Sequence, residues 1–480
     1  MLNGYQFRLY PTKEQAQTLL RWIGCQRGIY NAKVSEDRYF RTFRNHSLAL
    51  TGVMTPIDQT YSQFITDLTA YFREVPSVIL RNGAALFGQT YQRYFKGLGG
   101  RPTKQSHRGK QSVWITSELF TFEPIADLET GEVIGYRLFV GTKKFPVGEL
   151  IMKAHRPFHV PSSIHISIHA GKWNVSFSAE DSTISTFKEE AVIASLQKMS
   201  DEELMDHTIG ADRGVAKPLM TSDGQVFDLS DTQKEHIHNE RKRKIRWQRR
   251  ASKRQKHSKN QSKAYRKTAR YQQYEANVRQ DFAHQTSHRL VYHTNAKLIV
   301  FEDLKIKNMT KCPKPKQDAN GKWVKNGAAA KAGLNRAILG SAWGQVADYT
   351  QYKALRAGKL LIKVAPQYSS QTCAECGHVD AGNRPSQAEF LCLRCGHEDN
   401  ADHNAARVIQ QRGIKKIRKY APKEKKTIKL YKTKLGSERS EVTPGESHVR
   451  RNGGNIIAQG SMSQEVSLVT AETPISSAKR

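Results

Sequence analysis

Apolar and polar residues alternate at the start of the chain. YQFRLY over Tyr5–Tyr10 predicts a strand, stopped by Pro11. Thr12 and Gln15 have capping-box spacing, and apolar residues then recur at Ala16, Leu19, Leu20, Ile23, Tyr30 and Val34, the period of an amphipathic helix. A second helix is expected over Val78–Phe95, with Leu80, Leu86, Tyr91 and Phe95 as its apolar members. Gly97–Gln111 reads as a basic, glycine-containing linker. From Val113 to about Ser178 the period shortens to that of strands. LFTFEPI, YRLFV, IHISIHA and WNVSFSA are the strand candidates, with turns at Thr130-Gly131 and Ala170-Gly171. This half is expected to be a small β module with a helical insertion near its start.

The pattern changes again at Ile209–Val215 (IGADRGV), which reads as a buried strand. Lys217–Thr221 and Gln225–Leu229 are two more strands, joined by Ser222-Asp223-Gly224, and Asp-Gly suits a hairpin turn. One long helical stretch is expected over Thr232–His293. The short apolar run Lys297–Phe301 (KLIVF) suits a central parallel strand. Lys311–Gly333 reads as a polar loop, Arg336–Ala357 as a helix, Lys359–Val364 as a strand, and Asp402–Arg412 as a last helix. Beyond Gly413 the chain is Lys-rich and then rich in Ser, Thr and Gly, a disordered composition. The order β-hairpin-β, helix, strand, helix, strand, helix predicts an RNase H-like α/β domain.

Charge narrows the class of partner. Lys and Arg number 77 against 44 Asp and Glu, a formal net charge of +33. Such an excess calls for a polyanion, and nucleic acid and an anionic membrane surface both fit charge alone. No apolar run of roughly eighteen residues is present, so no membrane span is expected. The opening MLNGYQFRLY lacks an apolar signal core, which makes the cytoplasm the expected compartment. Of the 6 cysteines, Cys25 and Cys312 stand alone and the others form a late cluster. That is metal-site usage in a reducing compartment, not a disulfide framework.

Three acids occupy telling positions. Asp212 lies in the first strand of the hairpin unit, Glu302 closes the KLIVF strand, and Asp402 opens the last helix. Taken singly each reads as a surface acid, and Asp402 as a helix cap. Should the three elements meet at one sheet edge, their carboxylates converge into a hard oxygen site suited to Mg²⁺. Two such ions about 4 Å apart can activate water and stabilise the leaving oxygen of a phosphodiester.

Cys373, Cys376, Cys392 and Cys395 form C-x2-C, fifteen residues, C-x2-C, a zinc-ribbon spacing. Four thiolates make a closed structural Zn²⁺ site. Gly377 and Gly396 follow the two pairs, where knuckle turns need permissive backbone. His378 and His397 are possible substitutes, with nothing in favour of them. Between Arg241 and Arg270 there is no Asp or Glu, and Trp247, Tyr265, Tyr271 and Tyr274 are interleaved. Arg241, Lys242, Arg243, Arg246, Arg249, Arg250, Lys253 and Arg254 are candidate contacts to a phosphate backbone, with the aromatic residues available for stacking. The bland alternative is a solvated face. His284 and His288 lack the Glu of a metalloprotease motif and read as packing or phosphate contacts. Lys415–Lys434 fits a nucleic-acid contact or a solvated tail equally well.

These segments resemble the TnpB family, relatives of the compact type V CRISPR effectors. GADRG, FEDL and NADHNAA are similar to the family's three RuvC motifs and map its catalytic acids onto Asp212, Glu302 and Asp402. VRQDFAHQTSHRLV resembles the helix before the second motif, and YSSQTCAECGH the entry to the zinc ribbon. The likeness runs from YQFRLYPTKEQ to NADHNAARVI, nearly the whole chain before Gly413. Arg407 stands where the family often has Asn. The resemblance implies an RNA-guided DNA endonuclease that binds a guide RNA, reads a short motif beside a double-stranded DNA target, unwinds it and cuts with one RuvC site. It implies an α/β multidomain fold: a β-barrel-like wedge module (1–10 and 113–185), a helical recognition lobe (11–112), a RuvC nuclease domain (205–371 and 396–412), a zinc ribbon (372–395) and a basic tail (413–480). A prokaryotic cytoplasmic protein, on the nucleoid when bound to DNA, is expected. Monomer and dimer stay open, as do transposon nuclease and small CRISPR effector. The rival functions are a nuclease-inactive RNA-guided DNA-binding protein, an RNA-independent recombination nuclease or transposase, and a zinc-ribbon DNA-binding protein with an inert RNase H-like scaffold.

Overall fold

The period-two pattern at the N-terminus forms β1, Leu2–Leu9, which buries Tyr5, Phe7 and Leu9 on one face. In the computed structural model, residues 2–51, 60–107, 109–126, 133–154, 156–181 and 187–420 are described, with side chains left out at 43–51 and 133–134. They fall into two units that divide after Asp181.

In the first unit, α1 (Lys13–Thr51) starts on the Thr12–Gln15 box, where Thr12 N donates to Gln15 Oε1 at 2.9 Å and Gln15 N to Thr12 Oγ1 at 3.3 Å. α2 (Ser77–Phe95) crosses it closely, since a Cβ at Gly83 would meet the Gln26 carbonyl oxygen at 2.6 Å. The strands are β2 (Gln111–Thr116), β3 (Phe120–Ala126), β4 (Val133–Gly141), β5 (Pro146–Leu150), β6 (Met152–Lys153), β7 (Ser163–His169) and β8 (Lys172–Glu180). They make an antiparallel sheet in the order β2-β7-β8-β1-β6 and a three-stranded sheet β3-β4-β5. Ala170 and Gly171 both have positive φ, 49° and 80°, as a two-residue hairpin turn requires. The Thr130-Gly131 turn lies outside the described residues. Gln26 ties helices to sheet: its Nε2 donates to the carbonyls of Ile79 at 3.2 Å and Trp114 at 2.9 Å, and its Oε1 accepts from Trp114 N at 2.8 Å.

The second unit begins with α3 (Glu189–Gln197) and α4 (Asp201–Asp206), two helices that the apolar pattern had not picked out. Its sheet has the order β11-β10-β9-β12-β15. The strands are β9 (Thr208–Asp212), β10 (Leu219–Thr221), β11 (Val226–Phe227), β12 (Leu298–Glu302) and β15 (Leu360–Val364). β9, β12 and β15 are parallel, and β10 and β11 are the antiparallel hairpin. Every residue of β12 is buried, as a central strand covered on both faces should be. The expected helix over Thr232–His293 is two, α5 (Asp231–Ser252) and α6 (Lys259–Tyr292), each opened by a serine N-cap, Ser230 and Ser258. The expected loop at Lys311–Gly333 follows α7 (Ile306–Met309). It holds a short hairpin, β13 (Lys316–Gln317) with β14 (Trp323–Val324), and runs into α8 (Ala328–Gly340). The helix expected over Arg336–Ala357 breaks at Ala342, whose φ of 54° is left-handed, and resumes as α9 (Trp343–Arg356).

After β16 (Glu389–Leu391) and β17 (Glu398–Asn400), α10 runs Ala401–Arg418, so Gly413 does not end the order as expected. Gly413 suits the helix interior because Val300 of β12 occupies the space of its missing Cβ. Ile414 and Ile417 beyond it are buried, and Arg418 donates to the carbonyls of Gln197 and Met199, both at 2.8 Å. The rest of the expected tail, from 421 onward, lies outside the described residues. Two cores cover the sheet. Ile299 and Phe301 pack with α6 and α9, while Leu298 and Val300 pack with α3, α4 and α10. The unit is mixed α/β, and no helix among the described residues is long and apolar enough to cross a membrane.

Candidate active site

Strand alternation places two of the acids. Residues 298, 300 and 302 of β12 share the face that carries α10, and so do 208, 210 and 212 of β9. Glu302 is the residue after Phe301, which pairs with Ala211, so Asp212 and Glu302 end adjacent parallel strands. A Cβ at Gly210 would overlap the Ala406 carbonyl of α10, and the lack of one lets this helix lie directly on β9. Asp402 is in the first turn of α10, capped by Asn400, whose Oδ1 accepts from Asp402 N at 3.1 Å and His403 N at 3.4 Å. The cap is therefore Asn400, and the Asp402 carboxylate is left for the pocket.

Asp212, Glu302 and Asp402 line one pocket of about 280 Å³. Burial first, then the charges of Glu302 and Asp402, push Asp212 up to about 7, against the Arg213 amide and the Arg384 guanidinium. Burial also raises Glu302, opposed by the Ser369 hydroxyl and by Arg213 and Arg412. Ser369 Oγ donates to Glu302 Oε1 at 2.6 Å. Arg213 acts on the acids through its charge rather than by a direct pair: its guanidinium donates to the carbonyl oxygens of Glu302 and, at 3.5 Å, Trp343, and lies over the Phe301 ring. Among the described residues, Arg384 Nη2 at 3.5 Å from Asp402 Oδ1 makes the ion pair of this trio. Three carboxylates at one pocket, two of them raised by burial, form a donor set that suits a hard dication.

The cysteines are gathered more tightly. The sulfurs of Cys373, Cys376, Cys392 and Cys395 lie within 4.8 Å of one another, a closeness that the three carboxylates do not reach. Cys373 and Cys395 are 3.7 Å apart, and Cys376 and Cys392 3.6 Å. Those separations are far too long for disulfides and match the edge, about 3.8 Å, of a tetrahedron with Zn–S bonds near 2.3 Å. The two knuckles repeat each other: Gly377 N donates to Cys373 O and Gly396 N to Cys392 O, both at 3.0 Å, and both glycines have φ of +73°. The histidines are not among these ligands. The segment around the cysteines also helps to place Asp402, because β17 pairs with β16 and ends at the cap of α10. Asn404, fully buried, accepts from Ala374 N at 2.9 Å and donates to Thr372 O at 2.8 Å, and Arg407 pairs with Glu375 at 2.6 Å. Sequence reading did not single out Arg384, Ser369 or Asn404, although Ser369 lies in the quoted YSSQTCAECGH and Asn404 in NADHNAA; their roles come from packing against distant residues.

The basic run divides. Arg241 and Lys244 pair with Glu275 across the helical hairpin, at 2.7 Å and 3.5 Å, and Arg243 with Glu240 at 2.5 Å. Acids just outside the charge run thus offset part of it, contrary to the expectation of an uncompensated stretch. Arg254 donates to Asn260 O at 2.7 Å. Lys242, Arg246, Arg249, Arg250 and Lys253, with Ile245, line an open groove of about 400 Å³ along α5. Trp247 is held between Arg250 and Lys267, 4.8 Å and 4.2 Å from its ring, and Tyr274 lies against His236. Those two rings have contacts within the protein and are half-buried.

Comparison with known proteins agrees with this layout. Residues 1–38 match the helix-turn-helix domain of the OrfB/IS605 family, 194–312 its "Probable transposase" domain, and 343–409 the Cas12f1-like TNB domain. A protein of Escherichia coli (strain K12), provisionally named RNA-guided DNA endonuclease InsQ, is 27% identical over 86% of this chain and 92% of its own length. A protein of Streptomyces pristinaespiralis, provisionally named RNA-guided DNA endonuclease, is 28% identical over 86% of this chain and 89% of its own. The CRISPR-associated endodeoxyribonuclease Cas12f1 of Sulfoacidibacillus thermotolerans is 58% identical over 14% of this chain and 16% of its own length. With the three matched domains in chain order and a gathered four-cysteine cluster inside the last, the chain is similar to the OrfB/IS605 (TnpB) proteins and, over 343–409, to the Cas12f1-like TNB domain.

Proposed function

We propose that this chain is a metal-dependent, RNA-guided DNA endonuclease that cuts duplex DNA at one RuvC-type site. The observation that carries the reading is the shared pocket of Asp212, Glu302 and Asp402, built from two adjacent strand ends and a helix start. The names of the relatives supply the RNA guide and the DNA target. The sheet order, with its hairpin and three parallel strands, supports an RNase H-like nuclease domain over 205–371 and 396–412. The antiparallel strands of 1–10 and 113–185 would be a barrel-like wedge, the helices of 11–112 a recognition lobe, and 372–395 the zinc ribbon. DNA as substrate sets the work in the cytoplasm, at the nucleoid.

Two Mg²⁺ ions held by the three acids would activate a water for in-line attack and stabilise the leaving oxygen. Ser369 fixes the Glu302 carboxylate through its hydroxyl, and the Arg213 amide does the same for Asp212 at 2.9 Å. Arg384 sets a positive charge at the rim, where a phosphate enters. Zn²⁺ on the four thiolates has no open position and is structural. The groove on α5 would grip a nucleic-acid backbone by charge.

The test is cleavage of a matched duplex by the chain loaded with RNA transcribed beside its own gene. Cutting should require that RNA, the matching sequence and Mg²⁺, and should stop with a chelator. Full cutting by RNA-free protein would sink the guided reading, and cutting in the presence of a magnesium chelator would sink the metal.

A further inference from the structure

The loop between β15 and the first cysteine pair holds one residue in a costly conformation. Tyr368 has φ of 56°, the left-handed region that glycine or asparagine enters most easily. The surrounding structure enforces it. Arg412 of α10 donates to the carbonyls of Ala365 at 2.9 Å and Gln367 at 2.8 Å. The Tyr368 carbonyl accepts from Gln371 N at 3.1 Å, Thr372 N at 3.0 Å and Thr372 Oγ1 at 2.6 Å. Ser369, the next residue, is bonded to Glu302.

This support holds an aromatic ring out in solvent. Tyr368 is 65% exposed, and among the described residues its hydroxyl has no hydrogen-bond partner and no other ring stacks on it. Its neighbours Pro366, Ser369 and Ser370 line the acid pocket. Neither burial nor hydrogen bonding explains a tyrosine there, since a glycine would remove the strain and lose no described partner. What the ring offers is a flat, exposed apolar face on a loop whose neighbouring residues line the acid pocket, a face on which an unpaired nucleobase can stack.

We propose that Tyr368 is a positioning residue that stacks on the base flanking the phosphate to be cut, and so holds the DNA strand in register with the acids. This rests on the nuclease reading above. The partner is the DNA strand rather than the RNA, because Ser369 and Ser370, which follow Tyr368, line the pocket of the acids that would act on DNA.

The experiment uses the full RNA-loaded chain with Tyr368→Phe, Tyr368→Ala and Tyr368→Gly. In single-turnover cleavage, Phe should keep the wild-type rate, while Ala and Gly slow the cut about tenfold to a hundredfold with target affinity unchanged. Gly should also leave the melting temperature unchanged or higher, which separates lost stacking from lost folding. An abasic nucleotide next to the cut should slow wild type to the level of Ala and leave Ala unaffected. A fluorescent 2-aminopurine stepped along the strand should be quenched at one position by wild type and not by Ala. That quench is read without cutting, so its outcome stands apart from that of the nuclease reading. Wild-type cutting by Ala, a Phe variant as slow as Ala, abasic and Ala effects that multiply, or sensitivity to an abasic site in the RNA instead, would each overturn the proposal.

Discussion

Arg384 Nη2 lies 3.5 Å from Asp402 Oδ1, so a side chain from between the two cysteine pairs reaches the acid that opens α10. Arg384 is also steadied within the ribbon, where its Nη2 donates to Gln387 O at 2.7 Å. The four-cysteine cluster and the acid pocket are linked in this way, and disturbing the first should be felt in the second.

Cys376→Ser should therefore lower zinc content and DNA cleavage together, both read on the same purified protein. Arg384→Ala should keep its zinc and its target binding but cut about a hundredfold more slowly, the cost of losing a charge aimed at the reacting phosphate. Undiminished cutting by a zinc-free variant would show that the ribbon does not hold the site.

The raised Asp212 predicts how the metal-free protein responds to pH. Its carboxyl holds a proton more firmly folded than unfolded, up to about 7. The stabilisation is complete below the ordinary Asp range and is lost as pH rises through about 7, because the unfolded chain ionises more easily. The melting temperature of the metal-free chain should fall across that window. Asp212→Asn should flatten the fall, and Mg²⁺ should restore stability above it.

Gly413 and Val300 make a second structural test. A methyl group at Gly413 would strike Val300 Cγ2 and lift α10 from the sheet. Gly413→Ala should cost about 1–3 kcal/mol by denaturant unfolding, despite the better helix propensity of alanine. Adding Val300→Ala should recover part of that loss, so that the double variant is more stable than the sum of the two changes predicts.

The basic helix divides in the same testable way. Arg246→Gln and Arg249→Gln, in the open groove, should each reduce the slope of log binding against log salt by about one. Arg241→Gln, whose partner is Glu275, should leave that slope alone and lower the melting temperature instead.

Much of this layout was legible because local signals agree with the global fold. The run KLIVF suited a strand covered on both faces, Asp223-Gly224 suited a hairpin turn, and the paired C-x2-C spacing carried its own ligand geometry. The misses share a cause. Ala342 breaks a helix with no Gly or Pro to announce it, and Gly413 continues one because a valine from another strand fills the gap. Glu240 and Glu275 flank the charge run in sequence and return to it only through the hairpin. Ser369, Arg384 and Asn404 act across 67, 18 and 30 residues, by contacts that no spacing rule encodes.

The most direct test of the central claim is Asp212→Ala in the RNA-loaded chain, with cleavage and target binding measured side by side. The account predicts target binding close to wild type and a rate of cutting down by at least about a thousandfold, as for removal of a member of a catalytic unit. Cutting at the wild-type rate by that variant would contradict it.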